Sequence, residues 1–361
     1  MARSSQLESS VLRRFLVGFP GTELPWELRG LLSRGLGGVA IFRRNWTSLE
    51  SLGALTAETR RAARGSVLIG TDQEGGTLFS LPEPFTPWPA PALLGKLNRP
   101  ELVEKMARAM ATELRAAGIN LNFAPMLDLH VNPKSPVTRV RSYGADPRRV
   151  GAYGRAFIRG MARRGMLTCA KHFPGHGDAA VDPHHDLPVF TGTFARLRVR
   201  ELVPFRSVIR AGVPLVMTAH ILLPHIDPQS PATLSHRVLH DMLRTDLRFK
   251  GVILADDLGM GAIARRLSAG EAAIQSLQAG SDMIALCHDW SLVGPAIDAV
   301  LQAHGRGQFD LREWRASEAR IAHLLRRVSA ISKSNSLDVI GCGPHRALAE
   351  KLAASKSKSV R

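Results

Sequence analysis

The sequence predicts an α/β protein in which strands and helices alternate eight times and close into a barrel. Eight short apolar runs are spread along the chain, stretches with helical spacing separate most of them, and polar side chains recur where several runs end. Apolar strands that alternate with helices are typical of a parallel sheet covered on both faces. Eight such units favour a closed (β/α)8 barrel, the TIM barrel, over an open sheet.

The predicted strands occur in chain order with room for a helix between most of them. They are FLVGF (15–19), GGVAIF (37–42), SVLIGTD (66–72), INLNFAP (119–125), LTCAKH (167–172), VPLVMTAH (213–220), GVILADD (251–257) and DMIALC (282–287). Helical spacing is clear in PELVEKMARAMATELRAAG and in DPRRVGAYGRAFIRGMARRG, and DLREWRASEARIAHLLRRVSAISK predicts a basic amphipathic helix after the last strand. We therefore predict a single barrel domain over 1–333 and a basic, partly flexible C-terminal helical extension over 334–361.

Composition excludes several classes of protein. A chain of 361 residues that is 45% hydrophobic is too apolar to be disordered and too long to be a small disulfide-stapled module. Lys and Arg total 48 against 31 Asp and Glu, and the resulting net charge of +17 favours anionic partners or surfaces. No nucleic-acid-binding motif accompanies this charge, so we expect no specific nucleic-acid partner.

The cysteines and the N-terminus indicate a reduced, cytoplasmic location. Cys169, Cys287 and Cys342 are far apart and lack CxxC spacing, which disfavours both a disulfide framework and a zinc knuckle. Arg13 and Arg14 interrupt the only apolar patch of the N-terminus, as is unusual in a signal peptide. No run of about eighteen apolar residues is present, so we expect no membrane insertion.

Polar side chains stand at the C-terminal ends of four predicted strands. Asp72 ends the third run, His172 the fifth, His220 the sixth and Asp256 the seventh. Barrel enzymes place their catalytic groups at this end of the strands, whereas a buried structural polar residue has no reason to recur there. The sequence therefore predicts an active site at this face.

The densest polar cluster is the loop KHFPGHGDAAVDPHHDLP, which spans 171–188. One interpretation is a metal site, but Lys171 lies beside His172 and no HExxH spacing is present, so we expect no metal. The other is acid/base chemistry by a histidine that a nearby carboxylate orients. Asp182 and His184 fit this interpretation, because only Pro183 separates them and a proline restricts the linking backbone.

Two further clusters carry carboxylates. In ADDLGM, Asp256 is a candidate nucleophile, while Asp257 points to the opposite side and is expected to bind backbone, although both could simply cap the next helix. In TDQEGG, Asp72 and Glu74 should lie on one side of an extended segment, where carboxylates bind sugar hydroxyls well.

A third cluster, NPKSPVTRVRSYG (132–144), contributes cations after the fourth run. Arg139 and Arg141 are available for an acidic or polar ligand. Both could equally be solvated loop residues, since arginine is common at protein surfaces.

Taken together, these motifs closely resemble one enzyme family. The matching stretches are GGVAIFRRN, TDQEGG, INLNFAPMLDL, NPKSPV, RSYG, KHFPGHGD with DPHHDLP, PLVMTAHI, PATLS, GVILADDLGM and LQAGSDMIALC, in the order in which the family has them. The chain resembles the glycoside hydrolase family 3 β-N-acetylhexosaminidases, single-barrel bacterial enzymes of cell-wall recycling. KHFPGHG followed by Asp-x-His is highly specific for this branch.

The resemblance implies roles for the candidate residues. It assigns Asp256 as the nucleophile, His184 as the acid/base and Asp182 as its partner. The residues it implies for sugar binding are Asp72, Arg141, Lys171 and His172, with support from His220. The implied substrate is a terminal β-linked N-acetylglucosamine on muropeptide fragments, with no cofactor and no metal, and we expect a monomer.

The sequence departs from the family pattern at several positions. Thr77 and Ser80 stand where the family usually has two arginines after its EGG motif. Pro183 replaces the usual serine of the Asp-Ser-His motif, and Arg139 is a bulky cation where a glycine is usual. We expect altered recognition of the non-reducing sugar and a stiffer catalytic loop.

Two alternatives to hydrolysis stay open. The same residues could run a phosphorylase, because a neutral histidine base does not repel an anionic phosphate as a carboxylate does. The high positive charge and the two missing arginines also permit a weakly catalytic barrel that binds an anionic glycan.

Overall fold

The computed structural model describes residues 2–179, 181–329 and 336–355, and its centre is a closed barrel of eight parallel strands. The strands are β1 (Phe15–Val17), β2 (Gly38–Ala40), β3 (Leu68–Thr71), β4 (Leu121–Asn122), β5 (Leu167–Phe173), β6 (Leu215–Thr218), β7 (Val252–Ala255) and β8 (Met283–Leu286). Neighbours pair in chain order, and β1 closes the barrel by pairing with β8, Phe15 opposite Ile284. The predicted (β/α)8 barrel is therefore confirmed.

Helices surround the barrel. They are α1 (Ala2–Leu12), α2 (Trp26–Arg34), α3 (Leu49–Ala62), α4 (Pro91–Lys96), α5 (Pro100–Ala116), α6 (Pro147–Ala162), α7 (Phe194–Val199), α8 (Leu202–Arg210), α9 (Gly261–Ala264), α10 (Ala269–Ala279), α11 (Val293–Gly305), α12 (Leu311–Ser329) and α13 (Gly343–Ala354), with a further helix of π-type hydrogen bonding over Arg237–Asp246. Within these described ranges, no helix combines the length and the apolar character needed to cross a bilayer.

Local sequence explains where many helices begin and end. Ser48 and Ser268 accept hydrogen bonds from the backbone of the first turns of α3 and α10, which satisfies donors that a helix start leaves free. Helix α10 ends at Gly280, whose φ of 115° lies in the left-handed region that glycine adopts without strain. Short connections of this kind return each helix to the next strand.

Side chains alternate between the barrel interior and the helix layer. In β1, Leu16 points into the barrel, while Phe15 and Val17 pack against the helices. The interior is filled by apolar side chains that every strand contributes, so the barrel is a packed core with no channel.

Helix α12 closes the lower end of the barrel, where the strands begin. Ile321, Leu324 and Leu325 join the interior side chains there. Asp282, which is fully buried just before β8, binds Arg244 and Arg320 at 2.7 and 2.8 Å and fixes the helix to the strands. The predicted basic amphipathic helix is thus confirmed, and its apolar side seals the barrel.

The described part of the C-terminal extension packs on the outside of the barrel. Helix α13 lies against α5, where His345 Nδ1 stands 2.7 Å from the buried Glu113 carboxylate. Gly341 N–H donates to the same carboxylate. The predicted boundary at 333/334 and the predicted flexible end lie in 330–335 and 356–361, outside the described residues, so that division stays a proposal.

We predict that the seal formed by α12 is a major source of barrel stability. Leu324→Ala removes a side chain that is 2% exposed and should lower the free energy of unfolding by about 2–5 kcal/mol in a denaturant titration. Leu311→Ala, at the 53% exposed start of the same helix, is the matched control and should change it by less than about 0.5 kcal/mol. Equal losses of unfolding free energy in the two variants would contradict the proposed sealing role of α12.

Candidate active site

A cavity of about 460 Å³ opens at the C-terminal ends of the strands, opposite α12. It contains all eight side chains that the sequence singled out as catalytic or substrate-binding. They are Asp72, Arg141, Lys171, His172, Asp182, His184, His220 and Asp256. The barrel therefore brings together residues that are up to 184 positions apart in the chain.

A buried carboxylate organises the cations of the cavity. Glu74, whose side chain is 1% exposed, accepts two hydrogen bonds from Arg141, at 2.9 and 2.8 Å, and lies 2.8 Å from Lys171 Nζ. Lys171 also contacts Asp72 Oδ1 at 2.6 Å. Burial alone would raise the pKa of Glu74, but Arg141 and Lys171 outweigh it and lower this pKa to about 2. Glu74 is thus ionised, and Asp72 and Glu74 share one cation.

A second buried carboxylate holds the histidine-rich loop. Asp128, which is fully buried, accepts from the backbone and Nδ1 of His172 at 3.2 and 2.6 Å and from the backbone of His176 at 2.6 Å. Burial opposes ionisation, yet these contacts keep the pKa of Asp128 below its usual value. With Nδ1 held by Asp128, the other nitrogen of His172 is left for the cavity.

The ring of His176 is buried in the cavity wall without a hydrogen-bond partner among the described residues. Both ring nitrogens are unpaired, although the side chain is only 2% exposed. Burial lowers its pKa to about 4, so the ring is neutral at physiological pH. An unpaired buried polar group is costly, and a ligand in the cavity could relieve that cost.

Asp256 follows β7 and faces the cavity. Its Oδ1 accepts from the Asp257 backbone at 2.8 Å, and its own backbone N–H donates to Thr218 at 3.3 Å. Burial would raise the pKa of this carboxyl, but nearby His220 and His172 outweigh it and the pKa is lowered. Asp256 is therefore an ionised carboxylate at neutral pH, as a nucleophile requires.

Asp257 points away from its neighbour and binds the surrounding structure. It is 4% exposed, accepts from Gly259 N–H at 2.9 Å and contacts His288 Nδ1. The backbone carbonyl of Asp257 accepts from His220 Nε2 at 2.9 Å, and Thr233 occupies the other ring nitrogen of His220. Both nitrogens of His220 thus have protein partners, and its geometry suits support of the Asp256 turn more than direct contact with a sugar.

Asp182 and His184 form a pair at the edge of the cavity. Asp182 Oδ1 accepts from the His184 backbone at 2.9 Å and lies 2.8 Å from Nδ1 of the same residue. The loop rests on the start of α9, where Ala262 N–H donates to the Pro183 carbonyl at 3.0 Å. The His184 side chain stays 59% exposed, as an acid/base that meets a leaving group at the cavity entrance should be.

The departures from the family pattern fall in two places. Thr77 and Ser80 line the cavity beside Asp72, on the hairpin formed by Gln73–Gly75 and Leu78–Phe79. Arg139 is exposed and lines a separate cavity, so it does not replace the missing arginines.

Only one group of side chains in the described ranges could hold a metal ion. His236, His240 and Asp241 bring their ligand atoms within 4.8 Å of one another on an outer helix, and none of them lines the cavity. The cavity itself contains no such group among the residues described.

Several residues of the site escaped sequence reasoning. Asp128 was not singled out because its partners lie 44 and 48 positions further along the chain and no spacing rule links them. His288 follows the eighth strand directly, so the rule that found Asp72 and Asp256 could have found it. Contact with Asp257 raises the pKa of His288.

Known proteins are similar to this chain over most of its length. Residues 26–326 match the glycosyl hydrolase family 3 N-terminal domain. A Stenotrophomonas maltophilia protein named β-hexosaminidase is 37% identical over 292 residues, which cover 79% of this chain and 86% of that protein. A Chromobacterium violaceum β-hexosaminidase is 39% identical over 280 residues, 76% of this chain and 78% of that protein.

Solved structures have the same fold. A family 3 β-N-acetylglucosaminidase from Paenibacillus sp. superposes with a TM-score of 0.91 at 36% identity, over 96% of this chain and 68% of that chain. NagZ from Neisseria gonorrhoeae, in complex with N-trifluoroacetyl-D-glucosamine, superposes with a TM-score of 0.79 at 31% identity. The match covers 94% of this chain and 97% of that chain. The chain belongs to glycosyl hydrolase family 3 and is a glycoside hydrolase.

Proposed function

We propose that the protein is a retaining exo-β-N-acetylglucosaminidase that releases terminal β-linked N-acetylglucosamine from peptidoglycan-derived muropeptides. One observation carries the proposal: an ionised carboxylate, Asp256, and an imidazole paired with a carboxylate, His184 with Asp182, line the same cavity. A nucleophile and an acid/base are the two groups that retaining glycoside hydrolysis requires.

The reaction proceeds in two displacements. Asp256 attacks the anomeric carbon while His184, as imidazolium, gives its Nε2 proton to the leaving oxygen. The glycosyl–Asp256 ester is then attacked by a water molecule whose proton passes to neutral His184. Asp182 compensates the imidazolium charge in the first step, and its pKa is lowered by the contacts to His184 despite partial burial.

Recognition of the sugar falls to the polar wall opposite the acid/base. The Asp72 carboxylate and the free nitrogen of His172 suit sugar hydroxyls, and Lys171 and Arg141 are held in place by Glu74. The identity of the sugar is supported by the names of the relatives, which are β-hexosaminidases and β-N-acetylglucosaminidases.

An acidic leaving group is supported by His288. Its ring centroid lies 6.4 Å from that of His184, and contact with Asp257 raises the pKa of His288. A cation at this position suits the carboxylate of a muramic acid residue.

We also propose that the enzyme works as a monomer, because one chain supplies the whole cavity. We further propose that it works in the reducing cytoplasm, in keeping with its free cysteines, and that it needs no cofactor.

A phosphorylase is the second candidate. The base is an imidazole, and a second imidazole, that of His288, lies nearby with its pKa raised by Asp257. An attacking phosphate dianion would therefore meet less repulsion than it would from a carboxylate base.

We predict that Asp256→Asn abolishes turnover of an aryl β-N-acetylglucosaminide. Loss of the nucleophile should lower kcat by about four orders of magnitude or more, with an unchanged circular dichroism spectrum. Asp298→Asn, on the exposed side of α11, is the matched control and should keep wild-type rates. An Asp256→Asn enzyme within about tenfold of wild type would exclude the covalent route.

We predict distinct effects for the two members of the acid/base pair. His184→Ala should lower kcat/KM by about 10²–10⁴ for substrates with poor leaving groups, and less for activated aryl glycosides. Asp182→Asn should lower kcat/KM by less than His184→Ala does, because the imidazole is still present but an amide orients it and compensates its charge less well. His185→Ala, the exposed neighbour, serves as control, and an equal loss in that variant would show that the loop fold alone matters.

Product analysis separates the two candidate reactions. We expect free N-acetylglucosamine, formed at a rate that does not depend on phosphate, with the β-anomer appearing first in a nuclear magnetic resonance time course. Acceleration by phosphate together with sugar 1-phosphate would instead establish the phosphorylase. Sulfate at matched ionic strength controls for salt effects.

A further inference from the structure

A groove of about 920 Å³ lies at the lower end of the barrel, remote from the active site. We call it the basal groove. Its walls are α12, the turn 209–214 that leads from α8 into β6, and the segment 246–252 before β7. The cationic side chains that line it are Arg206, Arg210, Arg248, Lys250, Arg320 and Arg327.

Charges in the basal groove are poorly balanced. Arg320 is paired with Asp282 at 2.8 Å, but the other five cations form no ion pair with any carboxylate of the described residues. Among the described residues that line the groove, Asp246 is the single carboxylate. Five cations with one nearby acid repel one another, and an anionic ligand would remove that repulsion.

The structure holds some of these cations in place. Arg206 Nη1 donates to the Arg198 carbonyl at 2.6 Å, and burial together with Arg198 and Arg210 lowers the pKa of Arg206. Arg248 has a φ of 55°, in the left-handed region where a helix usually ends with glycine or asparagine. A bulky cation at such a position carries a small strain that glycine would avoid.

The positive surface extends beyond the basal groove. A second cavity, of about 520 Å³, shares Arg206 and Arg210 with it and adds Arg148 and Arg155 from the start and middle of α6. No acidic side chain lines this second cavity. A continuous run of cations across two cavities fits an extended polyanion better than one small anion.

The chemistry of the lining favours phosphate groups without bases or lipid chains. Guanidinium groups bind phosphate oxygens in pairs, and most of the cations here are arginines. Two aromatic rings line the basal groove: Phe249 is 2% exposed and offers no surface on which a base could stack, and the exposed His323 is a single imidazole, fewer than the successive rings on which single-stranded nucleic acid stacks. The groove is concave, and none of its large apolar side chains is exposed enough to enter a membrane.

We propose that the basal groove binds a linear phosphate polymer, independently of the active site. Contact would be made by the exposed Arg210, Arg248, Lys250 and Arg327 and by the half-buried Arg206. The bound polymer would tether the enzyme without touching the cavity, because the groove and the active-site cavity have no residue in common.

The test measures anisotropy of end-labelled long-chain inorganic polyphosphate with the full-length protein, at about 50 and about 200 mM salt. Arg210→Gln/Lys250→Gln should weaken binding by about tenfold or more at the lower salt and reduce the slope of log K against log salt by about 1–2. Arg61→Gln/Arg64→Gln removes the same charge from exposed residues around the end of α3, on the opposite side of the barrel, and should have little effect. Aryl glycosidase rates should stay unchanged in both.

Each other outcome would overturn the proposal. Equal weakening in the two double variants would mean that net charge, not the basal groove, binds the polymer. Tighter binding of single-stranded DNA than of polyphosphate, or binding of anionic phospholipid vesicles alone, would assign the groove to another partner. Absence of polyphosphate binding at about 50 mM salt would show that the basal groove is not a polyphosphate-binding site.

Discussion

The buried ion cluster around Glu74 is the interaction on which the mouth of the barrel depends. A carboxylate that is 1% exposed would be very costly alone, so the loop after β3 can adopt its conformation only if Arg141 and Lys171 meet it there. This requirement joins the β3 loop, the loop after β4 and strand β5 at one point. Lys171 then places Asp72, so the same contacts that permit burial also set the sugar-binding wall.

Hydrogen bonds from buried side chains fix the groups that we propose to be catalytic or substrate-binding. Asp128 holds the backbone at His172 and His176, and His220 holds the carbonyl that follows Asp256. None of these supports requires a substrate, so the proposed nucleophile and the cavity wall are oriented in advance. His184 differs, because its only polar side-chain partner in the described structure is Asp182 on the same loop. The proposed nucleophile is thus held by the barrel, whereas the proposed acid/base lies on a separately placed loop.

Features that depend on residues close together in the chain could be predicted from the sequence, whereas contacts between distant segments could not. The strands were predictable because burial on both faces gives continuous apolar runs, and Asp72 and Asp256 because they end such runs. The pair Asp182 and His184 was accessible because one residue separates them. The contact between Asp128 and His176 was not predictable, because it joins segments that are distant in the chain. The sealing role of α12 was not predictable either, because an amphipathic pattern shows that one face of a helix is buried but does not show which part of the protein covers it.

Cations are balanced by acids to different extents at the two ends of the barrel. At the mouth, Arg141 and Lys171 are neutralised by Glu74 and Asp72, so they direct hydrogen bonds at a ligand while adding little long-range attraction. At the base, the unpaired arginines act outward on solvent and on whatever anion is near. Because the active-site cavity and the basal groove share no lining residue, substitutions can change the charge of the groove without changing the geometry of the cavity.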